Sequence, residues 1–221
     1  MKHILFILFS LLALTGSTED NCLTTKEILT EACKKKLRDY YLTKEEGYLE
    51  EEYINNEWTV KVMQHEQKSS KWGVYTSVNG IVTDGDRIRR RILTKDLNSC
   101  NIGNTITTFY TMVPNAKILN FSNEVIPAKF KNNKINIELL FANRFLSGYS
   151  VTVDLGWNEL DSIKEYFKDT KEVTLKLLDS ENIKIKDYFD IDENVFSLQG
   201  LNNALDRAKD ECIRIVRSKN D

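Results

Sequence analysis

Histidine is nearly absent from this chain: His3 and His65 are the only two in 221 residues. His3 lies in a segment read below as cleaved, which leaves one imidazole. Sites built on two imidazoles, such as an HExxH zinc centre or a two-His-one-carboxylate iron centre, are thereby excluded. No GxxxxGK[ST], GxGxxG or GxSxG run occurs, so nothing points to a phosphate loop, a dinucleotide fold or a nucleophile elbow. No CxxC pair occurs, which disfavours a thiolate zinc site. An excess of one charge is missing too. Lys plus Arg is 31 and Asp plus Glu is 33, for a net charge of −2. Global electrostatics therefore gives no reason to expect nucleic acid as a partner. Beyond the N-terminus no segment is apolar for 18 residues, so stable membrane insertion of the mature chain is not expected.

What is present begins with an export signal. Lys2 precedes an apolar run from Ile4 to Leu14, and Thr15, Gly16 and Ser17 follow as small residues. Eleven helical residues span about 16 Å, too short for a bilayer core of about 30 Å. This is the layout of a cleaved signal peptide over residues 1–17, with cleavage after Ser17 and the Gly16–Ser17 bond as the alternative. A lipid anchor would need Cys directly after Gly16, and Cys22 stands too far on. Residues 18–221 then form a single exported domain, periplasmic or secreted. The four cysteines, Cys22, Cys33, Cys100 and Cys212, all lie in it, and an oxidising compartment favours disulfides. Four cysteines allow three pairings, and spacing does not decide among them. The pairing favoured here is Cys22 with Cys33 and Cys100 with Cys212. The second would close a loop of more than a hundred residues, worth about 4–5 kcal/mol on the chain-entropy account.

Hydrophobic periodicity divides the mature chain. Residues 24–42 read as a helix, with Thr24 and Glu27 at capping-box spacing and Leu29, Cys33 and Leu37 in one stripe. A break near Leu29 and Thr30 would let Cys22 fold back to Cys33. The acidic stretch 45–52 reads as a solvated helix end or loop. From Trp58 the period changes to 2: Trp58, Val60 and Val62 alternate, as do Trp72, Val74, Thr76 and Val78. Asn79-Gly80 predicts a two-residue hairpin into Ile81–Thr83. Further strands are predicted at 87–94, 105–113, 124–131, 134–141, 145–153, 172–178, 183–189 and 195–198. Pro114 and Pro127 fall at a strand end and at an edge or bulge. Residues 158–168 predict a helix with Leu160, Ile163, Tyr166 and Phe167 on one face. Residues 200–217 predict another, with Leu201, Ala204, Leu205, Ala208, Cys212, Ile215 and Val216 as its buried stripe. The fold class that follows is α+β: an antiparallel β-sandwich or barrel-like sheet with an N-terminal and a C-terminal helix packed on it.

Candidate chemistry is sparse. His65 lies in the polar run MQHEQKSSK, where a solvated turn is expected. Asp154, Glu159 and Asp161 near Trp157 are the best carboxylate group, with helix capping as their expected role. Arg87, Arg89, Arg90 and Arg91 are the one dense basic cluster. Strand alternation puts Arg87, Arg89 and Arg91 on one face, and Ile88, Arg90 and Ile92 on the other. The first row could hold an anionic partner, or it could be a charged strand that discourages edge pairing. Asn120-Phe121-Ser122 has the form of a glycosylation sequon, relevant only in a eukaryotic host. No metal and no cofactor are called for.

The order of motifs resembles a known layout. The Cys-containing segment CLTTKEILTEACKKKLRDYY, the Trp-headed EWTVKV, the run ILTKDLNSCNIGNTITTFYTMV and the closing FSLQGLNNALDRAKDEC are together similar to the periplasmic type VI secretion-associated proteins of the VasI family. Cys33, Cys100, Phe196, Leu198, Gly200, Ala204, Leu205 and Cys212 stand at the matching places. The Cys-Tyr-Asp triplet of that family is absent here, and Lys36-Leu37-Arg38 follows Cys33 where an Arg-Leu pair should precede it. The invasion-associated locus B family is the second resemblance, through the export signal and the terminal turn. Neither likeness implies a catalytic residue.

The expected function is therefore that of a non-catalytic exported accessory or binding protein acting through a protein partner, with a type VI secretion role implied by the resemblance alone. The competing classes are a secreted virulence factor, invasion-associated factor or inhibitor, and a hydrolase working with carboxylates alone. Intact-mass measurement on protein from the exporting cell should give a mature chain beginning at Thr18. A chain retaining Met1 would contradict the export reading.

Overall fold

The computed structural model describes residues 47–55 (backbone path only), 57–64, 70–83 and 85–219. The segment read as an export signal, the helix expected over 24–42, the expected Cys22–Cys33 pair and His65 lie outside the described residues.

Ten strands form one antiparallel sheet: β1 (Gly47–Asn55), β2 (Trp58–Gln64), β3 (Lys71–Asn79), β4 (Arg87–Leu93), β5 (Ile102–Thr111), β6 (Val125–Phe130), β7 (Asn133–Phe145), β8 (Gly148–Glu159), β9 (Glu172–Leu177) and β10 (Glu193–Ser197). Among the described residues two helices accompany it, α1 (Leu160–Tyr166) and α2 (Leu201–Ser218). The spatial order is β1-β2-β3-β4-β5-β8-β7-β6-β9-β10. This is the barrel-like form of the expected α+β fold, with the C-terminal helix where the sequence places it.

Period-2 alternation decides which face goes inward. Trp58, Val60 and Val62 on β2, Val74 and Val78 on β3, Ile88 and Ile92 on β4, and Phe109 on β5 share one continuous core with Leu201, Leu205, Cys212 and Ile215 of α2. The sheet curls around that core until its far end meets β3. Gly80 bridges Phe196, the Ile81 N–H donates to the Val195 carbonyl at 2.7 Å, and the Trp58 indole N–H donates to the Ser197 carbonyl at 3.0 Å. Curling lets a single sheet bury one apolar face, and it shields the β10 edge that would otherwise stand open. A smaller cluster of Met63, Trp72, Tyr75, Leu93, Ile102 and Trp157 is separate from this core.

The α2 stripe is buried residue by residue as its spacing demands. Cys212 is joined to Cys100, with Cα atoms 5.6 Å apart and a sequence separation of 112. Cys100 lies in a short 3-10 turn (Ser99–Asn101) just before β5. The bond therefore ties the terminal helix to the middle of the sheet.

Four local expectations are corrected. Residues 47–52 of the acidic stretch lie in strand β1, which pairs with β2. Asn79-Gly80 is not a two-residue turn: Asn79 pairs with Arg87, and the connection runs over 80–86 with the Gly80 N–H donating to the Asp86 carbonyl at 2.9 Å. Residues 183–189 alternate like a strand, yet they form a loop with a 3-10 turn at Ile185–Asp187. There the Ser180 hydroxyl accepts from the Ile183 N–H at 3.0 Å and Asp179 Oδ1 accepts from the Ile185 N–H at 2.9 Å. These side-chain acceptors take the backbone donors that a ladder would use, while Ile183, Ile185 and Phe189 still reach the core. Finally, Tyr166 leaves the α1 stripe and sits exposed under Lys131 Nζ, 4.9 Å from its ring centre.

Replacing Cys212 with Ser removes the long-loop constraint and should cost about 4–5 kcal/mol, a fall in Tm of about 10–20 °C for a chain of this size. Calorimetry on oxidised wild type and variant checks this; equal melting temperatures would show that the bond carries no stability.

Candidate functional site

Three connections come together at one end of the barrel because the register stacks them. Asn79 pairs with Arg87, Arg87 with Thr108, Thr111 with Tyr149, and Phe145 with Gly148. The β3–β4 loop, the end of β5 and the β7–β8 turn are therefore neighbours along one rim.

A buried polar clasp fixes the β3–β4 loop. Asp86 is fully buried. Its Oδ1 accepts from the Tyr110 N–H at 2.8 Å, and its Oδ2 accepts from Asn194 Nδ2 at 2.8 Å. Asn194 Nδ2 also donates to the Thr83 carbonyl at 3.2 Å, while its Oδ1 accepts from the Val82 N–H at 3.0 Å and the Val195 N–H at 2.8 Å. One amide thus joins the loop to β10 across the barrel seam. Gly80 is glycine because of that amide: a Cβ there would lie 2.3–2.5 Å from the Asn194 side-chain atoms. Burial pushes the Asp86 carboxyl up to about 6 from its ordinary 3.8, against the lowering effect of the hydrogen bonds from Asn194 and Tyr110; Asp190 adds to the rise.

Beside this clasp lies an open cleft of about 540 Å³, whose lining includes Glu57, Thr59, Lys61, Ser77, Asn79, Gly80, Ile81 and Arg87. Arg87 is oriented by its Nε, which donates to Asn79 Oδ1 at 2.9 Å. The Thr59 and Ser77 hydroxyls are 2.8 Å apart. Among the described residues the Arg87 guanidinium, with hydroxyls and an amide beside it, suits a carboxylate on a partner.

The rim above carries apolar side chains that water should disfavour. Ile81, Val82, Met112 and Phe145 are all about half exposed, and Leu146 is 91% exposed. Leu146 also has φ 51°, in the left-handed region that Gly or Asn usually fills. Phe145 packs on Tyr110, ring centres 4.9 Å apart, which stiffens the tip.

The candidates read from the sequence are distributed as follows. Arg87 reaches the cleft; Arg89 is half-buried, and Arg91 is buried at 6% exposure. The three do not form one open basic row. Cys100 and Cys212 are bonded; Cys22 and Cys33 lie outside the described residues. The carboxylate trio does not act as a unit. Asp154 accepts from Asn104 Nδ2 at 2.8 Å and the Gly156 N–H at 2.7 Å, Glu159 precedes α1 without a side-chain cap bond, and Asp161 is exposed beside Lys164. Asp86, Asn194 and Leu146 were missed. A Leu in a left-handed turn leaves no sequence signal, since nothing in its type marks the conformation. Among the described residues no group of three His, Cys, Asp or Glu is placed to hold a metal ion. No helix among the described residues is long and apolar enough to cross a membrane. Comparison with known protein families, with characterised proteins and with solved structures finds no match to this chain.

The folded state holds the Asp86 proton more tightly than the unfolded chain does. Its contribution to stability is complete below about pH 3.8 and is lost as pH rises through about 6. Glu211 runs the opposite way, held low first by its hydrogen bond from Arg214, so the comparison must be with Asp86→Asn. Urea midpoints of wild type relative to that variant should favour wild type more at about pH 4 than at about pH 7. A constant difference across that range would show that Asp86 does not titrate there.

Proposed function

We propose that this chain is an exported, disulfide-braced binding protein that does not catalyse a reaction and docks a protein partner on the rim of its barrel. The observation that carries this reading is Leu146, at once 91% exposed and in a left-handed backbone. Either feature costs stability: αL backbone about 1–2 kcal/mol for a non-glycine residue, and the exposed side chain the burial it forgoes. Strain and exposure at one tip, stiffened from below by Tyr110 and Phe145, fit a knob that is covered when a partner binds.

The cleft supplies the second half of the surface. Apolar residues on the rim and Arg87 below them favour a partner that offers a carboxylate beside an apolar patch. The export signal and the Cys100–Cys212 bond support an oxidising compartment. The VasI-like spacing of Phe196, Leu198, Gly200 and Cys212 supports an accessory role beside a secretion apparatus.

Leu146→Asn separates folding from binding. It should raise Tm by about 2–4 °C, because Asn tolerates the left-handed region. It should also abolish retention of envelope proteins that wild-type bait captures, and Arg87→Ala should weaken the same capture. Identical protein sets on wild-type and Leu146→Asn bait would overturn the reading.

A further inference from the structure

The inward face of the sheet carries one row that is not apolar. Thr76 on β3 pairs with Arg90 on β4, and Arg90 pairs with Thr105 on β5, so three polar residues lie side by side across three strands. Their neighbours on that face are Val74, Val78, Ile88, Ile92 and Phe109. Thr76, Arg90 and Thr105 are 0%, 5% and 3% exposed. Thr76 Oγ1, Arg90 Nη1 and Thr105 Oγ1 have no hydrogen-bond partner, and neither has Thr107 Oγ1, one step further along β5.

The Arg90 stem is accommodated by design of the next strand. A Cβ at Gly103 would lie 2.9 Å from Arg90 Cγ, 3.3 Å from its Cδ and 3.3 Å from Leu160 Cδ2. Only glycine leaves room for the arginine to lie across β5 toward the first residue of α1. The guanidinium is therefore given a place in the core and no counter-charge: its pKa falls to about 9 through desolvation alone. It stays cationic at neutral pH. A buried cation without a partner costs several kcal/mol.

The donor count says what is missing. Arg is a donor only, and each threonine hydroxyl has a proton to give. Three neighbouring side chains offer protons and a positive charge; the two hydroxyls, which could also accept, make no bond to Arg90 Nη1, and no carboxylate pairs with the guanidinium. Water would accept hydrogen bonds but leave the charge uncompensated.

We propose that the Thr76–Arg90–Thr105 row is a binding site for one small monovalent anion, a halide or a formate-sized carboxylate, seated inside the sheet near Leu160. The near-complete burial of every residue in the row sets the size limit. The role goes beyond partner docking, since the row lies in the core and not in the cleft. A bound anion would lock β3, β4 and β5 to one another behind α2.

The test is anion-specific stabilisation. Tm is measured for the full mature chain in rising sodium chloride or sodium formate, against sodium gluconate at equal ionic strength. Wild type should show a saturable rise over gluconate with at least one of the two small anions. Arg90→Met should lose the rise. Thr76→Val/Thr105→Val keeps the packing volume and should raise the half-saturating concentration about tenfold for each hydroxyl that bonds the ion. Crystals soaked in bromide should show an anomalous peak within hydrogen-bond distance of Arg90 Nη1. A wild-type response identical to gluconate with both anions, a rise retained by Arg90→Met, or no bromide at Arg90 in a protein that responds to chloride would each overturn the site. If Arg90→Met does not fold, the threonine double variant and the bromide peak decide.

Discussion

The bond between Cys100 and Cys212 is the constraint on which the rest of the molecule depends. It joins residues 112 apart, and it holds a C-terminal helix against a sheet that cannot bury its inner face unaided. Ten strands in one layer expose two faces; curling buries one of them only if something fills the concavity. The stripe Leu201, Ala204, Leu205, Ala208, Cys212, Ile215 and Val216 does so. Ala204 and Ala208 are fully buried, and side chains that small bring the helix axis close to β2 and β3. Hydrophobic burial supplies the driving force, and the covalent tie reduces the freedom of an unfolded chain whose two contacting parts are otherwise far apart in sequence.

The far end of the curled sheet is fastened to the β3–β4 loop by polar contacts. Asn194 spends every hydrogen-bonding group of its amide on joining β10 to the β3–β4 loop, and Asp86 receives one of those bonds deep below the surface. An apolar seam could slide; a fully satisfied amide admits one register. That register places Arg87, Gly80 and Ile81 around the cleft and sets the rim beside Tyr110. The surface proposed for a partner is thus positioned by the same groups that complete the fold, which links the pH response of Asp86 to the geometry of the rim.

Much of this was legible in the sequence where one period governed many residues. The α2 stripe and the β2 alternation of Trp58, Val60 and Val62 follow from patterns that tertiary contacts then reinforced, whereas the Cys100–Cys212 pairing, one of three that the cysteines allow, is fixed by the fold that brings them together. Alternation also put Arg90 on the face of Ile88 and Ile92, where it lies. What that pattern left unstated was that no carboxylate would come to meet it, because partners from other strands are set by topology. Residues 183–189 misled for the opposite reason: their apolar alternation was real and buried, but Asp179 and Ser180 captured the backbone donors. Gly80 looked like a hairpin glycine by its Asn neighbour, and it is there to admit an amide from a strand 114 residues on. The conformation of Leu146 depends on the length of the β7–β8 connection and left no trace in residue type.

The dependence on the Cys100–Cys212 tie is tested most directly by native-state hydrogen exchange on oxidised and reduced protein, resolved by segment. The account predicts that reduction lowers the protection of α2 and of β2, β3 and β4 together, because these strands lose the helix that covers them, while the β6–β7 hairpin keeps its protection. Unchanged protection of α2 after reduction, or a uniform loss across every strand, would contradict it.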